Sequence, residues 1–171
     1  RNMDIAKSGD NWYATMELSG ERAGVASNIV VTVNSSNAGN TWSFGSLVLY
    51  TTSGRNRLIE PSRFLVGTDQ YIIARSTAAL IWRVKSEDGG ATWVQQSNIL
   101  LDGISASKPA AINYNDGSEK NLLAITEVNK LIGYTGRTTL WIGSLTDVAT
   151  PNNGTEIMTP TFAHYPSLCY Y

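Results

Sequence analysis

The chain has 171 residues, of which 42% are hydrophobic and 16% charged, a composition that excludes a disordered protein. A formal net charge of −1 gives no basic surface for nucleic acid, and no apolar run is long enough to span a membrane. The single Cys169 excludes an internal disulfide, and His164 has no Cys or carboxylate at metal-ligand spacing, so we predict no metal and no cofactor.

The predicted elements are short strands along the whole chain. Runs of β-branched or aromatic residues, bounded by Gly, Asn, Asp or Ser, occupy 12–16, 29–33, 71–75, 80–84, 122–126 and 138–142. No stretch keeps a 3.6-residue apolar period with helix caps. We therefore predict an all-β fold.

A turn of the pattern Ser-x-Asp/Asn-x-Gly-x-Thr-Trp occurs twice, each time after an apolar strand. The first copy is Ser35, Asn37, Gly39, Thr41 and Trp42, and the second is Ser86, Asp88, Gly90, Thr92 and Trp93. In each copy the acid or amide can accept hydrogen bonds from amides of its own loop, and the Gly allows backbone angles that a side chain resists. The copies are separated by about the length of one blade of a β-propeller. We expect each Trp, which has a large flat side chain, to fill the gap between neighbouring blades.

This spacing divides the chain into blades. We predict blades at 1–49, 60–100 and 108–144, a polar loop over 147–159, and a fourth blade that begins near 162. Three blades and the start of a fourth leave open sheet edges, so we expect the chain to be part of a longer polypeptide.

The two turns resemble the Asp-boxes of the sialidase (neuraminidase) superfamily, and the resemblance extends over nearly the whole chain. The family has a Glu-Pro at the start of a blade, an Arg at the end of the next strand and then an Asp-box. Glu60-Pro61 and Arg75-Ser76 match this order before the second turn. The series continues with Gly136-Arg137-Thr138 and with Tyr165-Pro166-Ser167-Leu168, in which Pro166 departs from the family's Tyr-Ser-x-Leu.

The resemblance implies part of a six-bladed β-propeller and a retaining hydrolase of α-linked sialic acid. Arg75 and Arg137 would bind the substrate carboxylate, Tyr165 would be the nucleophile and Glu60 would take its proton. The family's first arginine and catalytic Asp belong to earlier blades, and neither Asp4 nor Asp10 lies where that Asp belongs. The partners would be a sialylated glycan or polysialic acid and the rest of the propeller, in a secreted, cell-surface or virion-associated protein.

Other interpretations remain open at this point. The enzyme could be an exo-sialidase, a trans-sialidase or a phage tail-spike endosialidase, or the propeller could bind glycans without catalysis. Glu60 could be a blade-edge carboxylate paired with Arg57 or Arg63, Arg137 a solvated turn residue, and Tyr165 a core aromatic. We expect surface or blade-rim positions for Arg55, Arg57, Arg63 and Arg83.

Overall fold

The computed structural model describes residues 3–22, 25–51, 58–76, 80–96, 98–100, 109–115, 119–129, 135–143 and 154–158. These residues form strands and turns without any helix, so the all-β prediction is confirmed. The described ranges accordingly contain no helix that could cross a membrane.

The first sheet is an antiparallel meander of four strands in the order β1-β2-β3-β4. Its strands are β1 (Met3–Ser8), β2 (Asn11–Arg22), β3 (Val25–Ser35) and β4 (Ser43–Thr51). In β2, Ala14 and Met16 alternate with Thr15 and Glu17, which places apolar side chains on one face and polar ones on the other. The cross-strand register continues the apolar face into β1 and β3.

The second sheet repeats this arrangement. Its strands are β5 (Leu58–Val66), β6 (Asp69–Ser76), β7 (Leu80–Ser86) and the short β8 (Val94–Gln95), with β9 (Ile99–Leu100) also paired to β7. The turn between β5 and β6 contains Gly67 at a φ of 57°, a left-handed conformation that glycine adopts without strain.

The third sheet has the order β10-β11-β12-β13. Its strands are β10 (Ala110–Asn115), β11 (Glu119–Asn129), β12 (Thr135–Gly143) and β13 (Gly154–Met158). The prediction of a polar loop over 147–159 is therefore wrong for 154–158. The physical reason is that β13 is the outermost strand of its sheet and pairs along only one edge. Such a strand can form from a more polar sequence than a strand in the middle of a sheet. The predicted fourth blade lies outside the described residues.

The three sheets meet through their first strands, since β5 contacts both β1 and β10. This arrangement is that of successive propeller blades, whose innermost strands adjoin around a central axis. Between the first and second sheets, Val30 and Val48 pack with Ile72, Ala74 and Val84, and Trp82 and Trp93 lie against this cluster.

Among the described residues, the apolar face of the first sheet that points away from the second sheet is largely exposed. Met3, Ile5, Leu18, Phe44 and Leu47 on this side are 40–69% exposed. An exposed apolar sheet face of this kind is typical of a surface that another part of a protein covers.

Candidate active site

A bulge in β5 places Glu60. The ladder between β5 and β6 pairs Ile59 with Arg75 and then Ser62 with Ile73, so Glu60 and Pro61 together lie opposite the single residue Ala74. Glu60 has a φ of 56°, in the left-handed region. For a residue with a side chain this conformation costs about 1–2 kcal/mol, so the surroundings must hold it in place.

The Glu60 side chain forms an ion pair with Arg75 of the neighbouring strand, in which Arg75 Nε donates to Glu60 Oε2. Glu60 is almost fully buried, whereas the Arg75 side chain is 23% exposed. In a regular strand, adjacent residues point to opposite faces, and Arg75 shares the face of its partner Ile59. We infer that the bulge and the positive φ turn Glu60 towards the Arg75 side of the sheet.

A second buried carboxylate reaches the same point from the first sheet. Glu17 Oε2 accepts the backbone N–H of Glu60 at 3.0 Å, and Glu17 Oε1 accepts from Asn28 Nδ2, also at 3.0 Å. Glu17 and Asn28 are 5% and 6% exposed. The site therefore combines two carboxylates, one guanidinium and one amide from four strands of two sheets.

Sequence reasoning missed Glu17 and Asn28. A signal was present, because Glu17 lies on the polar face of β2 with Thr15, in a strand whose other face is apolar. Asn28 precedes Val30, the cross-strand partner of Glu17, by two residues and so shares its face. What the sequence could not show is that this polar face packs against β5.

A further carboxylate joins the first strands of the two sheets. Asp4 Oδ2 accepts hydrogen bonds from Ser62 Oγ and from the Arg63 backbone N–H, each at 2.8 Å. This contact begins two residues after Glu60, so the start of β5 is held to the first sheet at two successive points.

Arg63 and Arg83 correct the expectation of surface or rim arginines, because they are only 2% and 4% exposed. Arg63 Nη2 donates to Gln70 Oε1, and the guanidinium lies over the Tyr13 ring, with 4.7 Å between Cζ and the ring centre. Burial lowers the pKa of Arg63 to about 10, although the charge interaction with Tyr13 opposes the shift. Arg63 is buried because β5 is an inner strand whose side chains face a neighbouring sheet. Arg83 lies on β7, which has paired strands on both sides. Arg55 and Arg57 lie outside the described residues.

Of the four predicted catalytic and substrate-binding residues, the structure brings two together, Glu60 and Arg75. The interpretation of Glu60 as a carboxylate paired with Arg63 does not hold, since Arg63 contacts Gln70 and the aromatic rings. Arg137 lies near the start of β12, opposite Glu127 of β11, and its side chain is outside the described residues. Tyr165 also lies outside them. In the part of the chain that can be searched, no three His, Cys, Asp or Glu side chains are grouped to hold a metal ion.

The 35–42 and 86–93 turns share one hydrogen-bond arrangement. Ser86 Oγ donates to Asp88 Oδ1 at 2.8 Å and accepts the Gly90 N–H at 2.8 Å, while Thr92 N and Oγ1 donate to the Asp88 carboxylate at 2.9 and 2.6 Å. These bonds, above all the one from the Thr92 hydroxyl, lower the pKa of Asp88 to about 2.

In the 35–42 turn, Ser35 and Asn37 make the equivalent contacts, to Gly39 N and Thr41 N.

The two tryptophans differ. Trp93 Nε1 donates to Ser46 Oγ of the first sheet at 2.8 Å, so this side chain joins the two sheets. Trp42 Nε1 donates instead to Gly39 O of its own turn at 3.0 Å, and Trp42 is 42% exposed. The expected role of Trp42 in filling a gap between blades stays a prediction.

Comparisons with known proteins place the fold. No protein-family model and no curated protein matches the sequence. A structure of unknown function from Dyadobacter fermentans is similar with a TM-score of 0.67 and 17% identity, over 92% of this chain and 41% of that one. A mutant of the NanB sialidase from Streptococcus pneumoniae has a TM-score of 0.57 and 20% identity, over 82% of this chain and 20% of that one. The α-L-arabinanase of Penicillium chrysogenum has a TM-score of 0.64 and 11% identity, over 91% of this chain and 49% of that one.

This chain therefore has the fold of part of a β-propeller, as found in the sialidase and the arabinanase. It spans less than half the length of each of the three structures. At such identities the similarity is one of fold alone.

Proposed function

We propose that the chain is part of a sialidase-type glycosidase, in which Glu60, Arg75, Arg137 and Tyr165 act on α-linked sialic acid. The observation that carries the proposal is the ion pair of Glu60 and Arg75, built on a bulge with a left-handed glutamate. Bulges and strained backbone are concentrated at functional sites, where they aim a side chain that a regular strand would point elsewhere.

Arg75 is suited to bind an anionic substrate. Its side chain is 23% exposed, so a ligand can reach it, while the contact with Glu60 holds Nε in place. A planar guanidinium binds a carboxylate through paired, charge-assisted hydrogen bonds, and sialic acid carries a carboxylate at its anomeric carbon.

The strand topology supports a second guanidinium at the same end of the propeller. Arg75 lies where β6 ends, and Arg137 lies where β12 begins. In both sheets this is the end at which the second strand connects to the third. Because the sheets repeat one strand order and adjoin through β5 and β10, we expect both arginines on the same propeller face.

The chemistry that we propose uses Tyr165 as nucleophile and Glu60 as its base. The phenol oxygen attacks the anomeric carbon as its proton passes to Glu60, and the leaving oxygen is protonated by an acid from another part of the polypeptide. Water then hydrolyses the glycosyl-tyrosine with overall retention of configuration. A phenol has an ordinary pKa of about 10, so it needs a base near neutral pH. The first arginine and the acid come, in this proposal, from the remainder of the propeller, which also covers the open face of the first sheet.

The test uses the full-length protein and a fluorogenic sialoside. Glu60→Gln should lower kcat/KM by about 10²–10⁴-fold, the usual effect of removing a general base. Glu87→Gln is the matched control, because Glu87 is exposed and pairs only with Lys85 among the described residues. Unchanged turnover in Glu60→Gln would remove the role assigned to Glu60.

The arabinanase among the similar structures supports a second candidate, a propeller glycosidase that acts on a neutral glycan. A substrate panel of sialoside, polysialic acid and arabinan separates the possibilities. Release of terminal sialic acid indicates an exo-sialidase, its transfer to an acceptor a trans-sialidase, and shortening of polysialic acid an endosialidase. Glycan binding without product, abolished by Arg75→Ala, indicates a non-catalytic propeller.

A further inference from the structure

The bulge at Glu60 creates a specific structural demand. Two consecutive residues lie opposite one residue of β6, so the backbone of the bulge leaves the regular ladder. The second residue, Pro61, has no N–H and requires no acceptor. Glu60 does have an N–H, and its residue is buried, so this donor must find a partner outside the ladder.

Glu17 supplies that partner from the neighbouring sheet. Its Oε2 accepts the Glu60 N–H at 3.0 Å, and its Oε1 is held by Asn28 Nδ2 at 3.0 Å. A carboxylate accepting a backbone N–H makes a charge-assisted hydrogen bond, stronger than a bond between neutral groups. Asn28 fixes the orientation of the Glu17 carboxylate. This carboxylate in turn holds the N–H of Glu60, whose backbone is left-handed.

We propose that Glu17 is a positioning residue for Glu60, so that the base of the reaction is aligned by two adjacent blades rather than one. This inference rests on the proposed function for its catalytic consequence. The action of Glu17 is on the backbone of Glu60, which sets the direction in which the Glu60 carboxylate points towards Arg75.

Asp4 provides a matched comparison within the same pair of strands. It too is a carboxylate of the first sheet that accepts a backbone N–H of β5, that of Arg63, at 2.8 Å. Loss of either carboxylate removes a contact between the blades. Of the two carboxylates, Glu17 is the one that accepts the Glu60 N–H, so the two variants separate positioning from general stability.

Substitutions of Glu17 separate the effect of its acceptor oxygen from the effect of its charge. Glu17→Leu removes the acceptor for the Glu60 N–H. Glu17→Gln keeps an acceptor oxygen at the same distance, and its amide can donate to Asn28 once the Asn28 amide has flipped. Glu17→Asp, shorter by one methylene, withdraws the acceptor in a more conservative way if the Leu variant fails to fold.

The experiment measures turnover of the sialoside and amide hydrogen exchange at Glu60 in the full-length protein. Glu17→Leu should lower kcat at least tenfold with KM changed less than threefold, and should speed Glu60 exchange at least tenfold. Glu17→Gln should restore both to within about threefold of the wild type. Asp4→Leu should leave kcat and Glu60 exchange within threefold, even if it melts at a lower temperature.

Other outcomes overturn the proposal. Slow Glu60 exchange in Glu17→Leu shows that Glu17 does not hold this backbone. Restored exchange in Glu17→Gln without restored kcat shows that the charge of Glu17 acts, not its position. A wild-type protein without sialidase activity refutes the proposed function instead, and the exchange rates alone then decide whether Glu17 positions Glu60.

Discussion

The guanidinium carbon of Arg63 lies 5.4 Å from the centre of the Trp93 ring, inside the protein. Tyr13 of the first sheet is the second aromatic neighbour of this guanidinium. Within the described residues Arg63 Nε and Nη1 have no hydrogen-bond partner. The cation that joins the first blade to the 86–93 turn is thus surrounded largely by aromatic rings rather than by acceptors.

Arg63→Ala should lower the free energy of unfolding by about 2–3 kcal/mol, because it removes two cation–π contacts and the packing of the side-chain stem. Arg63→Met should cost about 1 kcal/mol or less, since it keeps most of the packing and removes a buried charge with few acceptors. Urea unfolding of the full-length protein measures both. An equal loss in the two variants would show that the charge, not the packing, stabilises this junction.

The control for Arg63 is an exposed cation over an aromatic ring. Lys7 Nζ lies 5.9 Å from the centre of the Trp12 ring, and Lys7 is exposed. Lys7→Ala should change the free energy of unfolding by less than about 0.5 kcal/mol.

Asp88 gives the protein a pH-dependent contribution to stability. Its pKa is lowered to about 2 from an ordinary 3.8, so the contribution is fully present above pH 3.8 and is lost as the pH falls through 2. Asp88→Asn should lack this dependence, and its stability difference from the wild type should shrink between pH 4 and pH 2. Thermal melts across this range test the expectation, and a difference that stays constant would contradict it.

The 35–42 turn offers the reciprocal variant. Asn37 Nδ2 donates to Thr41 Oγ1, whereas Thr92 Oγ1 donates to Asp88. Asn37→Asp requires only that the Thr41 hydroxyl rotate to become a donor. This variant should therefore gain an acid-dependent contribution over the same pH range, measured by the same melts.

The two turns also have different residues at one position where the backbone is left-handed. Ala38 has a φ of 54°, and the corresponding Gly89 has a φ of 71°. Gly89→Ala should destabilise the protein by about 1 kcal/mol through backbone strain alone, because a Cβ there meets no atom within 4 Å.

Ala38→Gly should be neutral to stabilising, by up to about 1 kcal/mol, because relief of strain exceeds the added flexibility of the unfolded chain. Chemical denaturation of both variants provides the measurement. Destabilisation by Ala38→Gly would show that strain is small in this turn.

The sequence alone determined the two turns and the strands β2, β3, β6, β7, β11 and β12, but not β13. Runs of β-branched and aromatic residues predict strands, and this preference can be read from residues that are neighbours in the sequence. The turns form because Ser, Asp or Asn, Gly and Thr satisfy one another's hydrogen bonds within eight residues, as between Ser86 and Trp93. The positions of Glu60 and Arg75 on two successive strands were also predictable from the sequence, whereas the contact between their side chains was not.

The tertiary structure decided what each blade presents to the next. Three features depend on which sheet faces pack together. They are the burial of Arg63, the hydrogen bond from the Glu60 N–H to Glu17, and the different surroundings of Trp42 and Trp93. These contacts join residues far apart in the chain, and a local pattern of polar and apolar residues does not specify its partner surface. The bulge likewise depends on a register between strands, so the direction of Glu60 follows from packing and not from its Glu-Pro context.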